Sequence, residues 1–358
     1  HNASAPSSPE VREAVTAALR DYGNPSSVHA EGRAARNCVE EAREEVAALV
    51  GAHAENVIFT SGATEANNQA LRCCDRSQVV ASAIEHPSVL ELSLEDARIP
   101  VSPDGVTDLD ALSEMLKQRG RVVVVSVMAA NNESGVIQPV KGAAEQAHAV
   151  GALFHCDAVQ AMGRIPFDIE CLGADMATIS AHKLGGPKGV GALVLADGME
   201  TEAFMRGGGQ ERKRRGGTEN VPGIAGFGVA AREVRERRLS IGRVANLIGI
   251  LERRAEAAVP EAVIFGEFVP RIANTSLIAL PGVDAETQIM ALDLAGISVS
   301  SGAACSSGKV GESHVLAAMG VEEELGRCAI RISLGFENTV EEVDKFVKIW
   351  SGLKKMAS

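Results

Sequence analysis

Through its first two-thirds the chain alternates apolar runs of strand length with stretches of helical periodicity, which leaves few architectures open. Helical patterns cover residues 31–50, ended by Gly51, and then 63–74, 87–97, 109–119 and 139–150. Strand-like runs cover 56–60, 78–83, 121–128, 152–156 and 175–180. The run V-V-V-V-S-V-M at 122–128 is apolar on both faces, as a strand covered by helices on either side would be. The expected fold class is therefore α/β with a mostly parallel sheet. From about 220 to 258 the pattern is helical and charged, like a long connecting helix. Strand-like 272–280 and 328–334, with helical 284–295 and 339–354, predict a smaller α+β unit beyond it. The 358 residues match two domains at roughly 150 residues each. No Pro/Ser-rich linker divides them, so the two are expected to share an interface.

Charge and cysteine usage exclude several classes of function. Acidic residues number 47 against 35 basic ones, a net charge of −12, so nucleic acid is not an expected partner. The basic run Arg212-Lys213-Arg214-Arg215 reads as an exposed or phosphate-facing loop. The longest nearly unbroken apolar run, 122–130, is about half of what a membrane-spanning helix needs. Cysteines at 38, 73, 74, 156, 171, 305 and 328 are odd in number and contain no C-x-x-C pair. Neither a disulfide framework nor a metal site is expected, and the compartment reads as reducing, most simply cytoplasm. Cys73, Cys74, Cys171 and Cys328 are expected to be packing residues. The chain opens on His1 with no basic-then-apolar leader, so secretion is not expected and a short N-terminal stretch is expected to be missing.

The chemistry gathers at strand ends. V-I-F-T runs into S-G-A-T-E at 61–65, and V-V-A-S-A-I into Glu85-His86. The apolar run at 122–128 leads to A-A-N-N-E-S-G, A-L-F-H-C leads to D-A-V-Q at 157–160, and M-A-T-I-S leads to A-H-K at 181–183. In open α/β sheets ligands bind at the carboxyl edge of the strands. Polar loops are common at any single strand end; five that separately supply amide, carboxylate, imidazole and amine are harder to ascribe to chance. Ser61-Gly62-Ala63-Thr64, between strand and helix, has the makings of a phosphate cradle, or simply of an ordinary helix cap. No G-x-G-x-x-G follows the first strand and no G-x-x-x-x-G-K-[ST] occurs, which removes support for dinucleotide and P-loop readings. Lys183 is either a solvated surface residue or an amine made nucleophilic by desolvation. Asp157, set among apolar residues, is expected to have a cationic partner. An acid for a heterocyclic N–H, an amine for covalent attachment and an anion cradle are the parts pyridoxal phosphate requires.

These and further segments resemble the cysteine desulfurases of the NifS/IscS-like group, pyridoxal-phosphate enzymes of the aspartate-aminotransferase fold (fold type I). The resemblance rests on H-N-A-S-A-P (1–6), G-N-P-S-S-V-H (23–29), T-S-G-A-T-E-A-N-N (60–68), E-H-P-S-V-L (85–90) and N-N-E-S-G-V-I-Q-P (131–139). It continues through D-A-V-Q (157–160), S-A-H-K (180–183), R-G-G-T-E-N (215–220), S-S-G-A-A-C-S-S-G (300–308) and I-R-I-S-L-G (330–335). It implies a large cofactor-binding domain at 8–240 with a seven-stranded sheet. A small domain at 241–358, joined by 1–7, would carry the catalytic cysteine. It implies that Lys183 bonds the cofactor covalently, His86 stacks on its ring and helps move protons, and Asp157 pairs with the pyridinium nitrogen. Gln160 would bond the phenolic oxygen, with Asn132 beside both cofactor and substrate. Ala63, Thr64, Ser180 and His182 would hold the phosphate. Thr218 would reach the cofactor of a neighbouring subunit, which implies a homodimer with shared sites.

Cys305 separates this chemistry from other enzymes of the fold. An isolated cysteine is usually a small buried hydrophobe, but Gly and Ser surround this one, and the sequence reads as a flexible loop. A thiolate there suits attack on a substrate sulfur followed by its delivery elsewhere. Arg331 alternates with Ile330 and Ile332, so its fork takes either a structural salt bridge or a carboxylate ligand; the resemblance implies the carboxylate of L-cysteine. The expected activity is conversion of L-cysteine to L-alanine and a Cys305 persulfide, passed to an iron–sulfur scaffold or another acceptor protein. Two rivals remain: an aminotransferase or selenocysteine lyase in which Cys305 is incidental, and a non-catalytic sulfur-assembly partner. Departures from the family pattern are small, with F-E-N-T at 336–339 the main one.

Overall fold

The structure, a computed structural model, describes residues 1–119, 123–237, 241–302 and 312–357. The N-terminal helix α1 (Pro9–Arg20) is capped by Ser8, which accepts from the Val11 N–H, with proline in its first turn where no N–H is needed. Helix α2 (Ala30–Val50) stops at Gly51, which takes the left-handed conformation at φ 73°. The chain then runs through β1 (Val57–Thr60), α3 (Ala63–Arg72), β2 (Gln78–Ser82), α4 (Pro87–Leu90), β3 (Arg98–Ile99) and α5 (Leu109–Arg119). It continues with β4 (Val123–Ser126), α6 (Val140–Ala149), β5 (Leu153–Asp157), α7 (Ile169–Leu172), β6 (Met176–Ser180) and β7 (Gly191–Leu195).

These strands form one sheet in the order β1-β7-β6-β5-β4-β2-β3, parallel except for β7, which runs against both neighbours. Strand β4 is buried at every position, as expected of a strand with helices on both faces. One face carries the largest apolar cluster, including Val46, Phe59, Val125, Phe154 and Phe227; the other carries Ile58, Leu71, Val124, Met176 and Leu193. Helix α8 (Val221–Arg237), which contributes Phe227 to the first cluster, lies against α2, where a side chain on Gly228 would come 2.6 Å from the Ala42 Cα.

The rest of the chain is a second layer: α9 (Ile241–Ala258), β8 (Val263–Ile264), β9 (Thr275–Ala279), α10 (Ala285–Leu294), β10 (Ser300–Ser301), α11 (His314–Ala318), α12 (Glu323–Gly326), β11 (Ala329–Ser333) and α13 (Val340–Ala357). Its strands pair antiparallel in the order β10-β11-β9-β8. Trp350, fully buried, anchors its core by stacking on Phe346 at 6.0 Å and donating its indole N–H to Gln288 Oε1 at 2.9 Å. A further apolar cluster joins the two sheets, with Ile84 from beyond β2 packed among Leu277, Val315, Leu316 and Met319. No helix among the described residues is long and apolar enough to cross a membrane.

Several expected elements differ in detail. The helix expected over 87–97 is the single turn α4 and a 3-10 turn at Glu95–Ala97, after which β3 pairs with β2. Leu90, Leu92 and Leu94 recur every second residue there and give no helical stripe. The helix expected across 220–258 is two helices, α8 and α9. Strand β7 and helix α1 had no counterpart in the sequence reading. Cys171, expected to pack, is exposed, because the one-turn α7 has no buried face at that position; Cys74 and Cys328 are buried and Cys73 is half-buried.

Candidate active site

Five parallel strands deliver their carboxyl ends to one edge of the large sheet, and a cavity of about 740 Å³ opens there. At the end of β1 the chain turns through Ser61 and Gly62 into α3, so the first-turn N–H groups of that helix point out from the junction. Ala63 and Thr64 line the cavity. A side chain on Gly191 of β7 would stand 2.9 Å from Gly62 Cα, so a glycine is what lets the turn lie against the sheet. Glu65 braces the turn from behind, accepting the Ser61 N–H at 2.7 Å and the Arg215 Nε at 2.9 Å. Burial works against its charge, but the Arg215 and Ser61 hydrogen bonds outweigh it and hold the carboxyl below its ordinary range.

Asp157 ends β5 with only 6% exposure. Two neutral donors hold it, Asn67 Nδ2 at 3.0 Å and the Val159 N–H at 3.0 Å. Asn67 reaches it from the sheet-facing side of α3 and also donates to Ser88 Oγ at 2.9 Å. At the end of β2, His86 caps α4: its Nδ1 accepts the Ser88 N–H at 3.1 Å, which assigns the proton of the neutral ring to Nε2. Burial, helped by Lys183 and opposed by Asp157, lowers its pKa, so the ring is neutral near pH 7. Glu85 is fully buried with Oε1 on the Met128 N–H at 2.5 Å. Desolvation, with Asp157 adding to it, pushes its carboxyl well above the usual range and keeps it neutral.

Strand β6 supplies Ser180, followed by His182 and Lys183. Lys183 Nζ donates to the Asn2 carbonyl at 2.6 Å, and Gln160 Nε2 donates to the same oxygen at 3.1 Å. The Asn2 side chain bonds Thr275 Oγ1 at 2.8 Å and the Asn132 carbonyl at 3.2 Å, and Arg331 Nη1 meets that carbonyl at 2.9 Å. The N-terminal strand of chain thus ties the amine of the large sheet to the guanidinium on β11 of the small one. Among the described residues, the buried His182 Nδ1 and Asn67 Oδ1 beside the cavity have no hydrogen-bond partner.

Of the residues singled out from the sequence, Ala63, Thr64, His86, Asn132, Asp157, Gln160, Ser180, His182, Lys183 and Arg331 all line this one cavity. Thr218 does not: it is exposed, three residues beyond the Arg215 that braces Glu65. Cys305 lies outside the described residues, although Gly302 and Glu312 on either side of it line the cavity. Sequence reasoning missed Asn2, Asn67, Ser88, Glu133 and His314, which also line it. Asn67 alone left a signal, as an amide among alanines on the buried side of a helix. The whole set offers an anion seat at a helix N-terminus, a buried carboxylate for a ring N–H, an amine, and a fork for a carboxylate.

Comparison with known proteins agrees. The Aminotransferase class-V family profile matches residues 1–346. The chain is 42% identical to a cysteine desulfurase of Cereibacter sphaeroides, over 98% of this chain and 93% of that protein. It is 38% identical to a cysteine desulfurase IscS of Dictyoglomus turgidum, over 96% and 90% of the two. The solved NifS-like protein of Rickettsia africae superposes with a TM-score of 0.92 at 36% identity, covering 99% of this chain and 98% of that one. The chain belongs to the class-V aminotransferase family and, within it, to the cysteine desulfurases of the NifS/IscS-like group.

Proposed function

We propose that this cysteine desulfurase binds pyridoxal 5′-phosphate in the cavity described and moves sulfur from L-cysteine onto Cys305. The observation that carries the reading is the convergence of Lys183, Asp157 and His86 with the α3 N-terminus on one cavity. The residues fit the cofactor: His182 Nδ1 is a buried polar atom awaiting a partner, and the first turn of α3, with Thr64 and Ser180, suits a phosphate. Asp157 would pair with the pyridine N–H, Gln160 would bond the ring oxygen, and Lys183 would hold the group covalently. When bound, that group supplies the electron sink for charge developing on substrate carbon.

The chain's own residues then do the rest. Arg331 clamps the substrate carboxylate with its planar fork, and Asn132 borders it. With substrate bound, the Lys183 amine would take the proton from the substrate Cα and return it, and His86, neutral and protonated on Nε2, would lie against the cofactor and relay protons. The Cys305 thiolate attacks the substrate sulfur: an S–S bond forms, the substrate C–S bond breaks with its electron pair left on carbon, and protonation there completes L-alanine. The persulfide passes to an acceptor protein, an iron–sulfur cluster scaffold, in a reducing cytoplasm. Residues 8–240 act as the cofactor-binding domain and 241–358, with 1–7, as the small domain. Two copies associate, with Thr218 serving the partner's cofactor; its exposure outside its own cavity supports this, as do exposed Leu19, Tyr22 and Val28 near the N-terminal helices.

Sulfide and alanine released from L-cysteine under reductant, in wild type and Cys305→Ala, test the reading. Equal yields from the wild type are expected, with sulfide lost in the variant while cofactor absorbance persists. Unchanged turnover in the variant would instead favour a selenocysteine lyase or aminotransferase.

A further inference from the structure

Glu133 has no part in the scheme above, yet it lines the same cavity at 3% exposure. It sits in the turn between β4 and α6, where its N–H and that of Ser134 both donate to Asn131 Oδ1 at 2.9 Å. That turn aims the carboxyl at the second layer, which it meets at two points. Oε2 accepts the Ser313 hydroxyl at 2.5 Å, and a Cβ on Gly302 would lie 2.8 Å from the same oxygen. A side chain at 302 would push the carboxyl away from Ser313. Ser313 caps α11 by accepting the Leu316 N–H at 3.1 Å, so its own proton is committed to Glu133. Arg331 draws on the same carboxyl electrostatically, against the desolvation that raises its pKa to about 7. An amide would accept the Ser313 hydroxyl more weakly but without burying an ionisable group, so stability alone gives no reason for a carboxyl at this point.

Gly302 lies three residues before Cys305 and Ser313 eight after it; Glu133 bonds Ser313 and packs against Gly302. We infer that Glu133 is a positioning residue for sulfur transfer, fixing beside Arg331 the two stems from which Cys305 is presented to substrate. The inference rests on the Cys305 reading and deepens it. It requires nothing of Glu133 in cofactor or substrate binding, which makes the step it affects separable.

The test uses the holoenzyme in wild-type, Glu133→Gln, Ser313→Ala, double-variant and Cys305→Ala forms. L-Cysteine affinity is read from the cofactor absorbance, and the single-turnover rate of sulfur loading on Cys305 by mass spectrometry after alkylation. Both single variants are expected to keep cofactor and to bind cysteine within about 3-fold of wild type, while loading slows roughly 10-fold, the rate equivalent of one charged hydrogen bond. The double variant is expected to be no slower than the worse single one, because the two residues share one contact. Ser313→Thr, which keeps the hydroxyl, is expected to restore the rate. Unchanged loading in both single variants, or weakened cysteine binding with normal loading at saturation, would overturn the inference alone. A wild type that carries no sulfur on Cys305 would overturn the functional reading and this inference with it.

Discussion

His155 stands two residues before Asp157 on β5, fully buried, with Nδ1 on Ser126 Oγ at 2.9 Å and Nε2 on Thr178 Oγ1 at 3.0 Å. One ring nitrogen donates and the other accepts, so the ring bridges β4 and β6 in its neutral form. Desolvation, only partly opposed by Asp157, lowers its pKa from an ordinary 6.5 to about 4. The unfolded chain therefore binds a proton that the fold refuses. The stabilisation is fully present above pH 6.5 and is lost as pH falls toward 4, to a total of about 3 kcal/mol. His155→Gln, which still offers a donor and an acceptor, is expected to lose that acid dependence. Urea unfolding of both proteins between pH 4 and 7 checks it; parallel stability curves would disprove the assignment. Glu85 and Glu133 run the opposite way: burial raises both, so ionising them costs stability as pH rises.

Among elements, α3 does most to build the site, and its position depends on a side chain from a distant loop. Arg215 reaches Glu65 at 2.9 and 3.3 Å, and both side chains are largely buried. Three consecutive non-glycine residues just before it, Glu211, Arg212 and Lys213, adopt left-handed φ of 45°, 56° and 68°. That conformation is unfavourable for L-residues and is held by the buried Arg43–Glu211 pair at 2.7 Å and by the Phe59 N–H on Glu211 at 2.9 Å. The basic run is thus a braced arm, with Arg43 below it and Glu65 above. Arg215→Ala leaves the Glu65 carboxylate buried without its cation, a loss on the order of 3 kcal/mol. It is expected to loosen the α3 turn and weaken cofactor retention at least about 10-fold, measured by cofactor loss on dialysis. Arg215→Lys, lacking the fork, is expected to recover only part.

For the whole molecule, the second layer completes the cavity through Arg331 on β11 and through the chain on either side of Cys305, while Asn2 links both sheets. If Thr218 serves a second copy, each site needs two chains. Lys183→Ala and Thr218→Ala homodimers are then both impaired, and a one-to-one mixture refolded together regains one intact site in each mixed dimer. Activity of roughly a quarter of wild type is expected from random pairing. A mixture no more active than the average of its parents would show that Thr218 acts within its own chain.

Sequence alone determined the alternating layers and the residues at the strand ends, since periodicity and strand-terminal chemistry are local and survive in one dimension. Lys183, Asp157, His86 and Arg331 were legible for that reason. Tertiary structure decided what depends on chains far apart in sequence. Asn67 bonds Asp157 because the burial of α3 against β5 places an amide there. Asn2 bonds across 181 residues to Lys183, and Glu133 across 180 to Ser313, pairings that no spacing encodes. Strand β7 inserts antiparallel between β1 and β6, and the single turn of α4 gives way to β3. In each case the outcome follows from which backbone and side-chain groups are buried together, where an unmet hydrogen bond costs more than local propensity gains.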